Sequence, residues 1–292
     1  MLLETERNLD LGSFDSAQDS VDEYLRSVGD ALPVYRETGI VPPLFLAASA
    51  LGLLLRKLAL PPGAIHSLQE VAALKPVATG SEIKVSGMLE KPRRRAGLEF
   101  ITTVCTVEAD GVAALSSKST VLLTSGGPPG GPSQKSPPEE STKESTKEPT
   151  KEPTKEPTEQ GVKAAESGLP VISKEINQEQ LNAYAKASGD DNPLHLDPEF
   201  AAGTQFGGII AHGMLTLAFI SEMMAAAHGR DWLETGTLRV RFKGAAYIGD
   251  RLETRGNLAK EQGSSRTYSV GVWNSASGQE LILGTAGVKN RD

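Results

Sequence analysis

The chain has 292 residues, 38% hydrophobic and 23% charged, with a formal net charge of −7 and one cysteine, Cys105. That length holds two ordinary domains, each with its own core. The acidic balance without a basic stripe argues against nucleic acid as a partner, and a lone cysteine argues against a disulfide framework.

The opening MLLETERNLD has neither the basic flank nor the apolar core of a signal peptide, so the cytoplasm is the expected compartment. Residues 1 to about 17 read as polar and loose, and Ser16 to Val28 as a first helix ended by Leu32-Pro33-Val34-Tyr35. Pro42-Pro43 then opens an apolar helix, Leu44 to Lys57. Arg56, Lys57 and the flanking prolines interrupt the apolar run to Leu60, so a buried helix is expected here and not a membrane span. Four strands follow: Ile65 to Leu74, Ser81 to Lys91, Leu98 to Glu108 and Val112 to Leu123, with Cys105 in the core. Ala78-Thr79-Gly80, Arg95-Ala96-Gly97 and Asp110-Gly111 supply the turns.

From Ser125 to about Gln160 the composition changes to Gly, Pro and repeats of Thr-Lys-Glu-Pro or Thr-Lys-Glu-Ser. These residues have almost no apolar surface to bury, so a disordered tether is expected, with a random-coil reach of about 35 Å.

Gln178 to Ser188 reads as a short helix with Asn177 as N-cap and Gly189 as its stop. Asp190, Asn192 and His195 then fall in a loop stiffened by Pro193, and Asp197-Pro198 opens a second short helix, Pro198 to Ala202. Ile209 to Ala227 is apolar on nearly every side and reads as a buried helix. Its first turn, Ala211-His212-Gly213-Met214, presents amide N–H groups without intrahelical partners, and Gly213 lets a ligand oxygen come close. An acid, an imidazole and a backbone oxyanion site are the parts needed to add water to, or remove it from, a carbonyl-activated carbon. Strands are expected at Gly236 to Lys243, Asp250 to Ala259, Ser265 to Asn274 and Glu280 to Val288.

The pair GDDNPLHLD and FGGIIAHGM resembles the signature of the MaoC-like, (R)-specific enoyl-CoA hydratases of the hotdog fold. The resemblance implies that Asp190 and His195 activate a water molecule and that the Gly213 amide stabilises the thioester enolate. Asn192 reads first as a turn residue and His212 as a packed helix-start residue, each with substrate contact as the second reading. Arg239, Arg241 and Lys243 alternate on one strand face as a solvated edge, with phosphate contact second.

The order of one helix then four strands occurs twice, which with the resemblance implies an α+β double hotdog. Residues 1–124 are expected to form one domain, 125–165 a linker and 166–292 the catalytic domain. An offset of 160 aligns Asp30 and Tyr35 with Asp190 and His195, and an offset of 169 aligns Pro43 with His212 and Gly80 with Gly249. Tyrosine is a poor base near neutral pH, so the N-terminal copy reads as structural. Phe45 and Ser49 on its helix are expected to shape the acyl site.

The function implied is reversible hydration of a trans-2-enoyl-CoA to the (R)-3-hydroxyacyl-CoA. Alternatives are a mesaconyl-type hydratase, an acyl-carrier-protein dehydratase, a hotdog thioesterase and a non-catalytic acyl-binding protein. Four histidines without clustered spacing and the absence of a glycine-rich phosphate fingerprint predict no metal and no cofactor. The partner expected is an acyl thioester, on CoA or acyl carrier protein, with no nucleic acid and no membrane, and a homodimer is compatible with the fold.

Overall fold

The computed structural model describes residues 8–60, 64–95, 98–124 and 169–291. The expected linker lies outside the described residues, as does part of the turn at Arg95-Ala96-Gly97. The N-terminal half runs β1 (Asn8–Phe14), α1 (Gln18–Val28), α2 (Val34–Thr38), α3 (Pro43–Leu58), β2 (Ile65–Ala73), β3 (Ile83–Leu89), β4 (Arg93–Arg95), β5 (Leu98–Ala109) and β6 (Val112–Thr124). The C-terminal half opens with β7 (Ser173–Glu175), α4 (Gln178–Ser188), a 3-10 turn (Pro193–His195) and α5 (Pro198–Ala202). It continues with α6 (Gly213–His228), α7 (Arg230–Thr235), β8 (Thr237–Phe242), β9 (Arg251–Gln262), β10 (Ser265–Asn274) and β11 (Glu280–Lys289).

All named strands join one antiparallel sheet in the order β1-β3-β5-β6-β2-β8-β11-β10-β9-β7, with β4 on β5. The halves meet where β2 pairs β8, from Leu68 opposite Arg241 to Ala72 opposite Thr237. Each half is therefore an antiparallel sheet curved around one apolar helix, and the two sheets close each other's edges. Helices α3 and α6 touch across this seam, and one continuous apolar core includes Leu44, Ala47 and Leu51 of α3 with Met214, Leu217 and Ala218 of α6. A helix apolar on all sides is stable only when wrapped on all sides, and the sheet supplies that wrapping.

Two expectations are corrected at the sheet ends. Residues 8–14, read as loose, form β1 on the outer edge of β3, with Leu11 buried and a bulge between Asp10 and Gly12. Short β7 does the same for β9, so both halves carry an extra edge strand. The pattern of β1 is broken at the Asp10/Gly12 bulge and β7 has only three residues, and both are strands because a sheet edge lies beside them. No helix among the described residues is long and apolar enough to cross a membrane.

The internal duplication is visible in the backbone. Gly80 and Gly249 take φ of 85° and 87° at matching turns, a left-handed conformation that favours glycine. At the helix starts, however, Pro42 and His212 are both N-caps, with φ/ψ of −57°/130° and −58°/133°, and Pro43 and Gly213 are both first helical residues. The local offset is thus 170 (213 minus 43), and the alignment of Pro43 with His212 is corrected by one residue. The bridges Ile40 to Ala78 and Ile210 to Tyr247 carry the offset of 170 on the helix side (210 minus 40) and 169 at the turn (247 minus 78).

Candidate active site

Helix α4 delivers the acid. Asn177 caps it by accepting from Gln180 N at 2.8 Å, and Gly189 ends it with φ of 74°, turning the chain so that Asp190 leaves the helix axis. Asp190 then folds back on itself, its Oδ1 accepting from Asn192 N at 3.4 Å. Pro193, expected to stiffen a loop, stands first in a single 3-10 turn, where its missing N–H costs nothing. Asn192 caps that turn by accepting from Leu194 N at 3.2 Å, so its side-chain oxygen holds backbone while the residue also lines the cavity.

His195 closes the turn and is buried. Its Nδ1 lies 2.8 Å from Ile210 O, and because a carbonyl only accepts, Nδ1 carries the proton. In the neutral ring Nε2 then has a free lone pair. His195 stacks on His212 with centroids 3.9 Å apart, and His212 donates from Nε2 to Asp190 O at 3.0 Å. His212 is fully buried and is not on the cavity wall. It backs the site, fixing the Asp190 backbone on one side and the His195 ring on the other.

Burial dominates the electrostatics. It pushes the His195 imidazole below its ordinary value against the opposing pull of Asp190, and it holds the Asp190 carboxyl above the usual carboxylate range. His212 is driven well below the ordinary value by burial and by His195, so it stays a neutral ring.

Gly213 starts α6. The first helical bond from its cap is Thr216 N to His212 O, which leaves the amides of Gly213, Met214 and Leu215 without intrahelical acceptors. A Cβ on Gly213 would lie 3.0 Å from Phe242 Cε1, so the glycine lets an aromatic ring from β8 close over the helix start.

These parts share a cavity of about 480 Å³, with Asp190, Asn192, His195 and Gly213 on its wall. Leu51, Leu55, Ile65 and Val121 of the N-terminal half form the opposite wall, joined by Arg56 and His66. Phe45 and Ser49 are not on this wall. Phe45 packs against Phe14 and Tyr24 at 5.6 and 5.4 Å inside the N-terminal core, and Ser49 is likewise buried away from the cavity. The wall comes from the next two turns of α3 and the start of β2. Leu55 and His66 were not legible in the sequence, because the packing of α3 decides which of its faces meets the cavity and only the β2–β8 pairing brings the start of β2 to it. Arg56 was visible as a charge in an apolar run, but was used only to exclude a membrane span. Of the basic strand residues, Lys243 reaches the wall and is paired with Glu280 at 2.5 Å, while Arg239 pairs with Glu70 at 3.2 Å.

Asp190, His195 and His212 offer three ligand atoms within 4.8 Å of one another. The remaining nitrogen of His212, Nδ1, is sealed in the protein without a partner, so of these three a cation in the cavity would meet only Asp190 and His195. Two donors fall short of the three protein ligands usual at a catalytic zinc.

In the N-terminal half Tyr35 Oη donates to Asp30 Oδ2 at 2.5 Å, and Asp30 Oδ1 accepts from Leu32 N at 3.0 Å, repeating the Asp190 turn. Burial and the Asp30 charge drive the Tyr35 hydroxyl far above its ordinary value. Pro43, at the Gly213 position, has no amide proton to offer.

The model of the MaoC-like domain family matches residues 149–279. The (R)-specific enoyl-CoA hydratase of Aeromonas caviae is 31% identical over 121 residues, 40% of this chain and 89% of the relative. The chain belongs to the MaoC-like family. The 3-hydroxybutyryl-CoA dehydratase of Methylorubrum extorquens is 29% identical over 41% of this chain and 76% of its own length. A Mycobacterium tuberculosis 3-hydroxyacyl-thioester dehydratase is 36% identical over 28% of this chain and 58% of its own length. Among solved structures, a MaoC-like dehydratase superposes with a TM-score of 0.75 at 20% identity, covering 98% of both chains. A Mycobacterium tuberculosis protein described as a double hotdog gives 0.63 at 12% identity, covering 98% of this chain and 96% of its own. The family model matches only the C-terminal part, whereas the structural likeness spans both halves. This MaoC-like chain is a hydro-lyase with a double hotdog fold.

Proposed function

We propose that the protein catalyses the reversible addition of water to a trans-2-enoyl-CoA, giving the (R)-3-hydroxyacyl-CoA. The observation that carries this reading is the placing of Asp190, His195 and the Gly213 amide on one wall of a single cavity. In the hydration direction His195 Nε2, left as acceptor by the bond from Nδ1 to Ile210 O, takes a proton from water while Asp190 orients it. The hydroxyl adds to C3, and the electron pair moves to the thioester oxygen, which accepts from Gly213 N–H at the positive end of α6. Return of a proton to C2 completes the addition of one water.

The opposite wall of Leu51, Leu55, Ile65 and Val121 suits an apolar acyl chain. Among the described residues of the cavity wall, Arg56 donates to Gly189 O and Lys243 pairs with Glu280, which argues against a dicarboxylic acyl group. Asp30, Tyr35 and Pro43 leave the N-terminal half without a base or an oxyanion amide, so one active site per chain is proposed.

Loss of the enoyl thioester absorbance of crotonyl-CoA without release of free thiol is the expected result. Thiol release would make the protein a thioesterase, and no change would make it an acyl binder. Asp190→Asn and His195→Gln should each lower kcat/KM by roughly 10²–10⁴-fold while leaving the thermal melt in place. Crotonyl groups on acyl carrier protein, turned over in parallel, discriminate the carrier, and chiral analysis of the product checks the (R) configuration.

A further inference from the structure

The segment that carries Asp190 is held from outside its own half. Helix α3 approaches the end of α4 so closely that a Cβ on Gly52 would lie 2.1 Å from Ser188 O. One turn further along the same face of α3, Arg56 Nη1 donates to Gly189 O at 3.0 Å. The two carbonyls immediately before Asp190 are thus both seated on one helix of the N-terminal half. Gly189 has φ of 74° and no side chain, and within its own segment its peptide to Asp190 is held only by the long bond from Asp190 N to Ser188 Oγ at 3.3 Å, so the contact from α3 adds the closer restraint on a carbonyl whose orientation sets where the Asp190 carboxylate points.

The matching place in the other half is built differently. The counterpart of Gly52 at offset 170 is Glu222, paired with Lys174 at 2.5 Å, and Lys174 donates to Val28 O at 3.1 Å and to Gly29 O. There a buried ion pair occupies the gap. At Asp190 the gap is closed by a glycine contact and one exposed arginine on the rim of the cavity.

We propose that Gly52 and Arg56 are positioning residues, a clamp by which the N-terminal half sets the geometry of Asp190 through the Ser188-Gly189 carbonyls. The clamp is assigned to the chemical step, because Arg56 Nη1 holds the carbonyl that immediately precedes Asp190. This inference rests on the reading of Asp190 as a catalytic group.

The test uses the full-length protein with crotonyl-CoA. Arg56→Ala should lower kcat by about tenfold or more, since a displacement of about 1 Å in a catalytic group can cost about 10²-fold. KM should stay within about threefold and the thermal melt should be kept, the arginine being exposed. Arg56→Lys, which retains a donor, should recover most of the loss, and Arg56→Gln serves if the alanine variant folds poorly. Gly52→Ala should reduce kcat in the same direction. In an Asp190→Asn background Arg56→Ala should add less than about twofold, because residues acting through one group are not additive. A raised KM with unchanged kcat would turn Arg56 into a substrate contact and sink the clamp. So would unchanged kinetics, or a full multiplicative loss in the Asp190→Asn background. Full activity of Asp190→Asn alone would instead remove the reading of Asp190 on which the clamp depends.

Discussion

Gly213 and Pro43 occupy the same position in their two helices, and the difference between them is one amide proton. Proline is tolerated at the first helical position, and His212, with φ/ψ of −58°/133°, already has the extended backbone that a following proline requires. Gly213→Pro therefore deletes the proposed oxyanion donor without unwinding α6. Gly213→Ala keeps the donor but pushes on Phe242, whose ring edge would be 3.0 Å from the new Cβ. Comparison of the two separates chemistry from packing. We expect kcat of the proline variant to fall roughly 10²–10³-fold below that of the alanine variant, the usual worth of one oxyanion donor. Equal kcat values would remove the amide from the mechanism. At this scale the motif made Asp190, His195 and Gly213 legible, since their roles follow from residue type and spacing. The role of His212 was not legible, because a ring that stacks on His195 and donates to the Asp190 carbonyl is defined by neighbours 17 and 22 positions away.

The element that unites the molecule is β2, paired on one side with β6 and on the other with β8 of the opposite half. Gln69 lies on it with no exposed surface. Its Nε2 donates to Ser117 Oγ at 2.8 Å and to Glu70 O at 2.9 Å, and its Oε1 accepts from Ser119 Oγ at 2.7 Å. Gln69→Leu keeps the volume but strands two buried hydroxyls. It should cost roughly 1–3 kcal/mol, read as a lower denaturant midpoint with an unchanged slope. An unshifted midpoint would mean the two hydroxyls find other partners. Most strands and both central helices could be read from period and turn residues to within a few positions. Edge strands β1 and β7 could not, because a bulge breaks the alternation of β1 and the three residues of β7 are defined by the sheet beside them.

At the scale of the whole molecule the halves also meet through charge. Lys174 of β7 reaches Glu222 on α6 and the Val28 and Gly29 carbonyls after α1, with Asp30 nearby. Burial raises the Glu222 carboxyl to about 7, with Lys174 pulling the other way. A carboxyl raised in the folded state contributes stability that is fully present below its unfolded value of 4.5 and is lost as pH rises through about 7. His66 has the opposite slope, held down to about 4 by burial, so wild type alone would show partial cancellation. Against Glu222→Gln, which does not titrate, wild-type stability should decline by about 1.4 kcal/mol per pH unit between pH 4.5 and 7 and level off above. Parallel denaturation curves for the two proteins across that window would show that Glu222 titrates normally.

The sequence by itself determined the α+β class, the doubled order of helix and strands, and the motif residues of the C-terminal half, because these depend on periodicity, turn chemistry and residue type along a short stretch of chain. It also showed the degeneracy of the N-terminal copy, in Tyr35 where His195 stands and in the paired prolines. Only the tertiary structure decided which N-terminal residues face the cavity. Leu51, Leu55 and Ile65 do, whereas Phe45 and Ser49 turn into their own core, a choice set by the rotation of α3 against α6 under the β2–β8 seam. It likewise decided that Arg56, which the sequence offered only as a charge at a helix end, lies against Gly189 from 133 residues away. Contacts of that separation depend on how two independently patterned halves pack, and no local pattern in either half encodes them.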